Sequence, residues 1–106
     1  MPTVFFSYFL HDAVIAEEFE ERILRDVAPR ARAEESVERW TLRRVTGWPG
    51  SSDDAPDYIC VVEVSDLGLW SSDASASISE THGLLGPLAR RIAMTVTVGV
   101  VESGVK

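Results

Sequence analysis

The side chains of this 106-residue chain that could move a proton near neutrality are few, namely two histidines, His11 and His82, and a single cysteine, Cys60. An imidazole with an ordinary pKa of ~6.5 is the usual acid/base group in that range. His82 stands in the stretch ETHGLLGPLARRI, residues 80–92, four positions after Ile78 and three before Leu85. On a continuous helix that spacing turns it toward the apolar stripe. It also suits the end of a helical piece closed by Gly83, where an imidazole complements the helix dipole. His11, directly before Asp12, falls in a helix-entry loop and is the weaker candidate. Glu80 and His82 are two apart and do not converge on one helical face, and His-x-His, Glu-x-x-His and paired cysteines are all missing from the sequence, so no metal site is expected. The sequence also lacks glycine-rich phosphate loops and a nucleophile elbow, and implies no cofactor.

A second set of chemical groups is embedded in strand-like patterns. Glu63, Arg44 and Tyr58 interrupt apolar alternation, and such residues need hydrogen-bond partners if buried. With His82 as acid/base, they would polarise or orient a substrate. If Met94, Val96 and Val98 face the helices, Thr95 and Thr97 face a cavity, and Ser7 accompanies Phe5 and Phe9. A pocket walled by Phe5, Phe9, Trp40, Leu42 and Ile59, with Ser7, Thr95 and Thr97 as its polar contacts, suits a small apolar or aromatic molecule. The same residues would serve equally as a dimer interface.

The elements that must hold these groups follow from periodicity. TVFFSYFL (3–10) is β-branched and aromatic and reads as a buried strand. Asp12 is a candidate N-cap for a helix carrying Ile15, Phe19, Ile23 and Val27 at four-residue intervals, which Pro29 should end. Residues 30–37 are polar and read as either loop or short helix. ERWTLRRVTGW (38–48) and YICVVEVSD (58–66) alternate as strands around a turn-rich loop, PGSSDDAPD. From Leu67 the period is helical, but Gly83, Gly86 and Pro87 predict two helical pieces, the second starting at Pro87. MTVTVGVVE (94–102) is the last strand.

The resulting β-α-β, β-α-β order is the split βαβ plan: an α+β, ferredoxin-like βαββαβ fold with a four-stranded antiparallel sheet and helices on one face. One domain covering residues 1–106 is expected from the length. A net charge of −7 opposes binding to nucleic acid. The N-terminal apolar run falls far short of the ~20 residues of a membrane span and lacks a signal-peptide pattern, so no membrane partner and a cytoplasmic location are expected.

A sheet covered on one face only needs something on the other. In element order and lengths, almost the whole chain resembles the dimeric α/β-barrel superfamily, in which two such sheets pack face to face. EEFEERILRDVAPRA, ERWTLRRV and YICVVEVSDLGLW are similar to the EthD-like branch, although DVAP has Asp26 and Val27 where that branch carries a histidine. The resemblance implies a homodimer and a small cofactor-independent enzyme of cyclase, lyase, isomerase or cofactor-free oxygenase type. Some polyketide cyclases of this fold carry an acid/base histidine in the region of His82. The alternatives it leaves open are a non-catalytic binding or dimerisation module, and a haem protein.

Overall fold

The computed structural model describes residues 2–47 and 55–98, leaving aside the side chains of residues 73–79 and 82. Its elements are β1 (Pro2–Leu10), α1 (Ala16–Arg22), a π-helical turn (Ile23–Val27), α2 (Ala28–Ala33), β2 (Val37–Arg44), β3 (Tyr58–Val64), α3 (Leu67–Leu85) and β4 (Ala89–Val98). The strands form one sheet in the order β2-β3-β1-β4 with every neighbouring pair antiparallel, which is the ferredoxin-like arrangement expected from the sequence.

Strand side chains alternate between faces, so the pairing register sorts the sheet in two. On the covered face Val4, Phe6 and Tyr8 of β1 lie beside Tyr58, Cys60, Val62 and Val64 of β3 and Trp40 of β2, all between 0 and 8% exposed. Phe19, Ile23, Val27 and Ala28 from the first helical run, and Trp70, Leu85 and Leu88 from the second, complete this core. Phe19 is its hinge point, with its ring 5.4 Å from Tyr8 and 4.7 Å from Tyr58. Phe6 reaches Trp70 at 6.5 Å.

The first helical run departs from expectation at both ends. It starts at Ala16 rather than after Asp12, Ile15 is the N-cap residue without a side-chain cap, and Ile15 is 61% exposed. Pro29 does not end the run. A proline ring clashes with the carbonyl four residues back and offers no N–H, and the chain absorbs this by widening into the π-helical turn, in which the Ala28 N–H donates to the Ile23 carbonyl. Helix then continues as α2, so most of the undecided 30–37 stretch is helical.

The second helix is one piece, not two. Asp66 caps it by accepting from the Leu69 N–H at 2.9 Å, and it runs through His82 and Gly83 to Leu85. Gly83 lies within this run and lacks the left-handed backbone of a helix-ending glycine, so it marks no terminus. The break falls at Gly86–Leu88, where the Leu88 N–H donates to the Leu85 carbonyl at 2.9 Å and the Leu88 carbonyl accepts from His11 N–H at 3.0 Å. Pro87 therefore sits in a turn, and β4 begins at Ala89, five residues before the expected start. Arg90 and Arg91 are tolerated there because β4 is an edge strand. Their guanidiniums lie 5.5 and 5.0 Å from the ring centre of Phe9.

β2 closes on β3 through the Val45 N–H donating to the Asp57 carbonyl at 3.0 Å. Asp57 also ties β1 in, since its carboxylate accepts from the Leu10 N–H at 2.8 Å. The expected loop 49–57 and the strand ends at Trp48 and 99–102 lie wholly or partly outside the described residues. Among those described, no helix is long and apolar enough to cross a membrane.

Candidate active site

Arg44, the last residue of β2, is the cross-strand partner of Tyr58, the first of β3. Both side chains therefore project toward the helices at the same end of the sheet. Burial of Phe19 against Tyr58 fixes how α1 lies over this end, and the next residue, Glu20, is placed above the phenol. One carboxylate oxygen, Glu20 Oε2, accepts from both the Tyr58 hydroxyl and the Arg44 Nη2, and from Arg44 Nε at 3.0 Å. The Tyr58 hydroxyl also lies 3.4 Å from the Ala16 carbonyl.

These contacts set the protonation states. The hydrogen bond from Tyr58, followed by that from Arg44, holds the Glu20 carboxyl below the usual carboxylate range. Burial, reinforced by the Glu20 charge, pushes the Tyr58 phenol up to about 12. At neutral pH the constellation is a carboxylate, a guanidinium and an un-ionised phenol sharing one oxygen.

Beside it opens a cavity of about 500 Å³. Trp40, Leu42 and Leu24 give it apolar walls, and Glu20, Arg44 and Tyr58 supply its polar end. Arg32 of α2 also lines it, with its guanidinium 5.2 Å from the centre of the Trp40 ring. Cys60 lies beneath, fully buried, its thiol pushed up to about 12 chiefly by burial, which leaves it un-ionised and a poor nucleophile. Among the described residues no group of three or more His, Cys, Asp or Glu side chains could hold a metal ion.

Of the residues expected to form a site, the structure brings together Arg44, Tyr58, Trp40 and Leu42. The other strand residues stand elsewhere, because strand parity places them on the opposite face. Phe5 is paired with Val61 and Thr95, Ser7 with Ile59 and Ala93, and Thr3 with Glu63 and Thr97. A single pocket containing all of them is thus excluded by the register. Glu63 pairs with Arg39 at 3.4 Å on that open face, and the Thr97 hydroxyl donates to the Thr3 carbonyl at 3.3 Å. Phe9 is 7% exposed, covered by Arg90 and Arg91. Met94, Val96 and Val98 do share the helix side, but remain 51, 40 and 70% exposed, since the helices leave that edge of the sheet uncovered. His82 belongs to α3, and its side chain lies outside the described residues.

Glu20, Leu24 and Arg32 were not anticipated. All three sit on the polar-looking side of the first helical run, and the π-helical turn shifts its periodicity between Glu20 and Arg32. The available signal was adjacency: Glu20 directly follows Phe19, a fully buried residue of the stripe.

A family described as REDY-like protein HapK matches residues 2–91. The chain belongs to that family. Consistent with this HapK-family assignment, the crystal structure of HapK from Hahella chejuensis is similar at 16% identity and a TM-score of 0.70, covering 97% of this chain and 96% of that one. SnoaB from Streptomyces nogalater, described as a cofactor-independent oxygenase, is similar at 16% identity and a TM-score of 0.71, with 96% and 95% covered. An EthD family protein from Bacillus halodurans has 16% identity and a TM-score of 0.69, with 94% and 100% covered. A Thermobifida fusca protein described as dimeric and ferredoxin-like has 10% identity and a TM-score of 0.68, with 91% and 88% covered. No curated protein matches the chain. The ferredoxin-like fold expected from the sequence therefore holds; the family that matches is HapK, and an EthD family protein is among the proteins that share the fold.

Proposed function

We propose that this HapK-family protein is a small-molecule enzyme that begins its reaction by proton transfer in the cavity between α1, α2 and β2. The observation that carries the reading is the sharing of Glu20 Oε2 by Tyr58 and Arg44 at the polar end of an apolar-walled cavity. Glu20 is the proton acceptor. A carboxylate held below its usual range is a weak base, so its substrate must give a delocalised conjugate base, an enolate or phenolate, whose charge Arg44 stabilises. Tyr58, un-ionised at neutral pH, orients Glu20 and can return a proton. Cyclisation, isomerisation and addition of dioxygen to a conjugated substrate all start with this step, and the cofactor-independent chemistry ascribed to SnoaB is compatible with it. The proton-transfer role expected of His82 passes in this proposal to Glu20 and Tyr58.

The working form is a homodimer. The open sheet face exposes Phe5, Ile59 and Val61 among Ser7, Thr95 and Thr97, and a second copy packed sheet to sheet would bury it. The dimeric description of the Thermobifida fusca relative supports this arrangement.

Solvent-deuterium exchange at the benzylic α-carbon of 2-tetralone, a benzo-fused cyclic ketone whose enolate is conjugated with the ring, tests the chemistry by NMR. The wild-type protein should accelerate exchange, and Glu20→Gln should remove the acceleration while leaving the fold intact. Exchange at the uncatalysed rate with wild-type protein, or undiminished catalysis by Glu20→Gln, contradicts the proposal.

A further inference from the structure

The charges around the cavity do not cancel. Glu20 is committed to Arg44 and Tyr58. Arg32 forms no ion pair among the described residues; its guanidinium lies over the Trp40 ring and near the un-ionised Cys60 thiol. The neighbouring arginine of α2, Arg30, is by contrast paired with Glu80 of α3. The lining thus carries one negative and two positive side chains, Glu20 against Arg32 and Arg44, in a chain whose overall charge is −7.

We infer that the cavity takes a planar conjugated acid, with its ring system against Trp40 and Leu42 and its carboxylate on the Arg32 guanidinium. This rests on the reading of the cavity as the active site and names the class of molecule it selects. Three physical points lead there. A guanidinium stacked on an indole keeps its N–H edge free, and that edge matches a carboxylate in two parallel hydrogen bonds. The stacking lowers the entropy lost on binding, because the arginine is already held. Trp40 is 5% exposed, so its indole is held in place, and the part of it that lines the cavity gives a flat ring a fixed apolar contact beside the arginine. Arg32 lies over Trp40 and Glu20 over Arg44, four residues further along β2 or about 13 Å of strand, so an acid bound on Arg32 would present another part of its framework to Glu20 without setting two carboxylates side by side.

The test compares 2-naphthoate with its neutral isostere 2-naphthamide by titration calorimetry, with NMR shifts of the Trp40 indole to locate binding. Wild-type protein should bind the acid about tenfold tighter than the amide, the scale of one charge-assisted pair at a partly solvated site. Arg32→Gln should lose that preference while keeping its affinity for the amide, and Arg32→Lys should recover only part of it, since an ammonium cannot form the fork. Arg32 is exposed, so these variants should fold, and an unchanged thermal midpoint would confirm it. Equal binding of acid and amide by wild-type protein, or an acid preference that survives in Arg32→Gln, overturns the inference and leaves the catalytic reading standing. Failure of both probes to perturb Trp40 overturns the two together.

Discussion

The two faces of one sheet are built from the same strands and serve opposite ends. On the covered face, Val4, Phe6, Tyr8, Cys60, Val62 and Val64 are closed off by helices at 0 to 8% exposure. On the other, Thr3, Phe5, Ser7, Ile59, Val61 and Glu63 are half-buried and Thr95 and Thr97 exposed, with no helix above them. Chemistry collects on the covered side, where a phenol, a carboxylate and a guanidinium are brought together at the rim of the core. The open side offers apolar area and a Thr97 hydroxyl already tied to the Thr3 carbonyl. The lesson is that a polar residue in a strand acquires a role only when the register tells which layer it meets.

The comparison is most sharply broken at Phe19, which ties α1 to the covered face and positions Glu20. Replacing Phe19 by Ala should destabilise the protein by about 3–5 kcal/mol, measured by urea unfolding. A cost below about 1 kcal/mol would mean that α1 is not held by this contact. On the open face, Val61→Asp should leave the monomer's fold almost unchanged but weaken self-association more than tenfold, about 1.4 kcal/mol or more, because it places an unpaired charge where the proposed dimer would bring two sheets together. Light scattering distinguishes this from a wild-type protein that is already monomeric, which would contradict the dimer.

Tyr58 gives a smaller effect with a defined pH window. Its folded-state pKa is raised from 10.0 to about 12, so the stabilisation it contributes is complete below pH 10 and is lost as pH rises through 10 toward 12. Tyr8, raised further by burial, adds a fall of the same sign, and Cys60 does so from 9.0 upward. Absorbance of the native protein should therefore show little tyrosinate at pH 10, and Tyr58→Phe should cost about 1 kcal/mol at neutral pH while making the alkaline fall shallower. Normal tyrosine titration in the folded state would refute this. The smallest change is expected for Thr97→Val on the exposed part of the open face, within about 0.5 kcal/mol in unfolding experiments.

Much of the architecture was legible from period alone. The strands at 2–10, 37–44 and 58–64 are close to the segments predicted from alternation, and the Phe19-Ile23-Val27 stripe is buried as its spacing required. What misled were residues whose local preference was overridden. Pro29 and Gly83 usually punctuate helices, yet one is absorbed by a π-helical turn and the other costs only its entropy inside α3. Arg90 and Arg91 hid the start of β4, because charges on an edge strand can remain in water. The site was legible in half: Arg44 and Tyr58 stood out as polar groups in apolar strands, but which of Phe5, Trp40 or Ile59 would join them depends on which strand face the helices cover. Glu20 looked like an ordinary solvated helix charge, and Arg32 stood in a polar stretch open between loop and helix, until the helical run was laid over β2.

The most direct measurement of the central claim is a residue-by-residue NMR map of where an aromatic ligand binds. Titration with 2-naphthoate should shift the signals of Leu24, Trp40, Leu42 and Tyr58 and leave Phe5, Ile59, Thr95 and Thr97 where they were. Shifts confined to the open-face residues, with Trp40 and Tyr58 unmoved, would contradict the assignment of the site to the covered face.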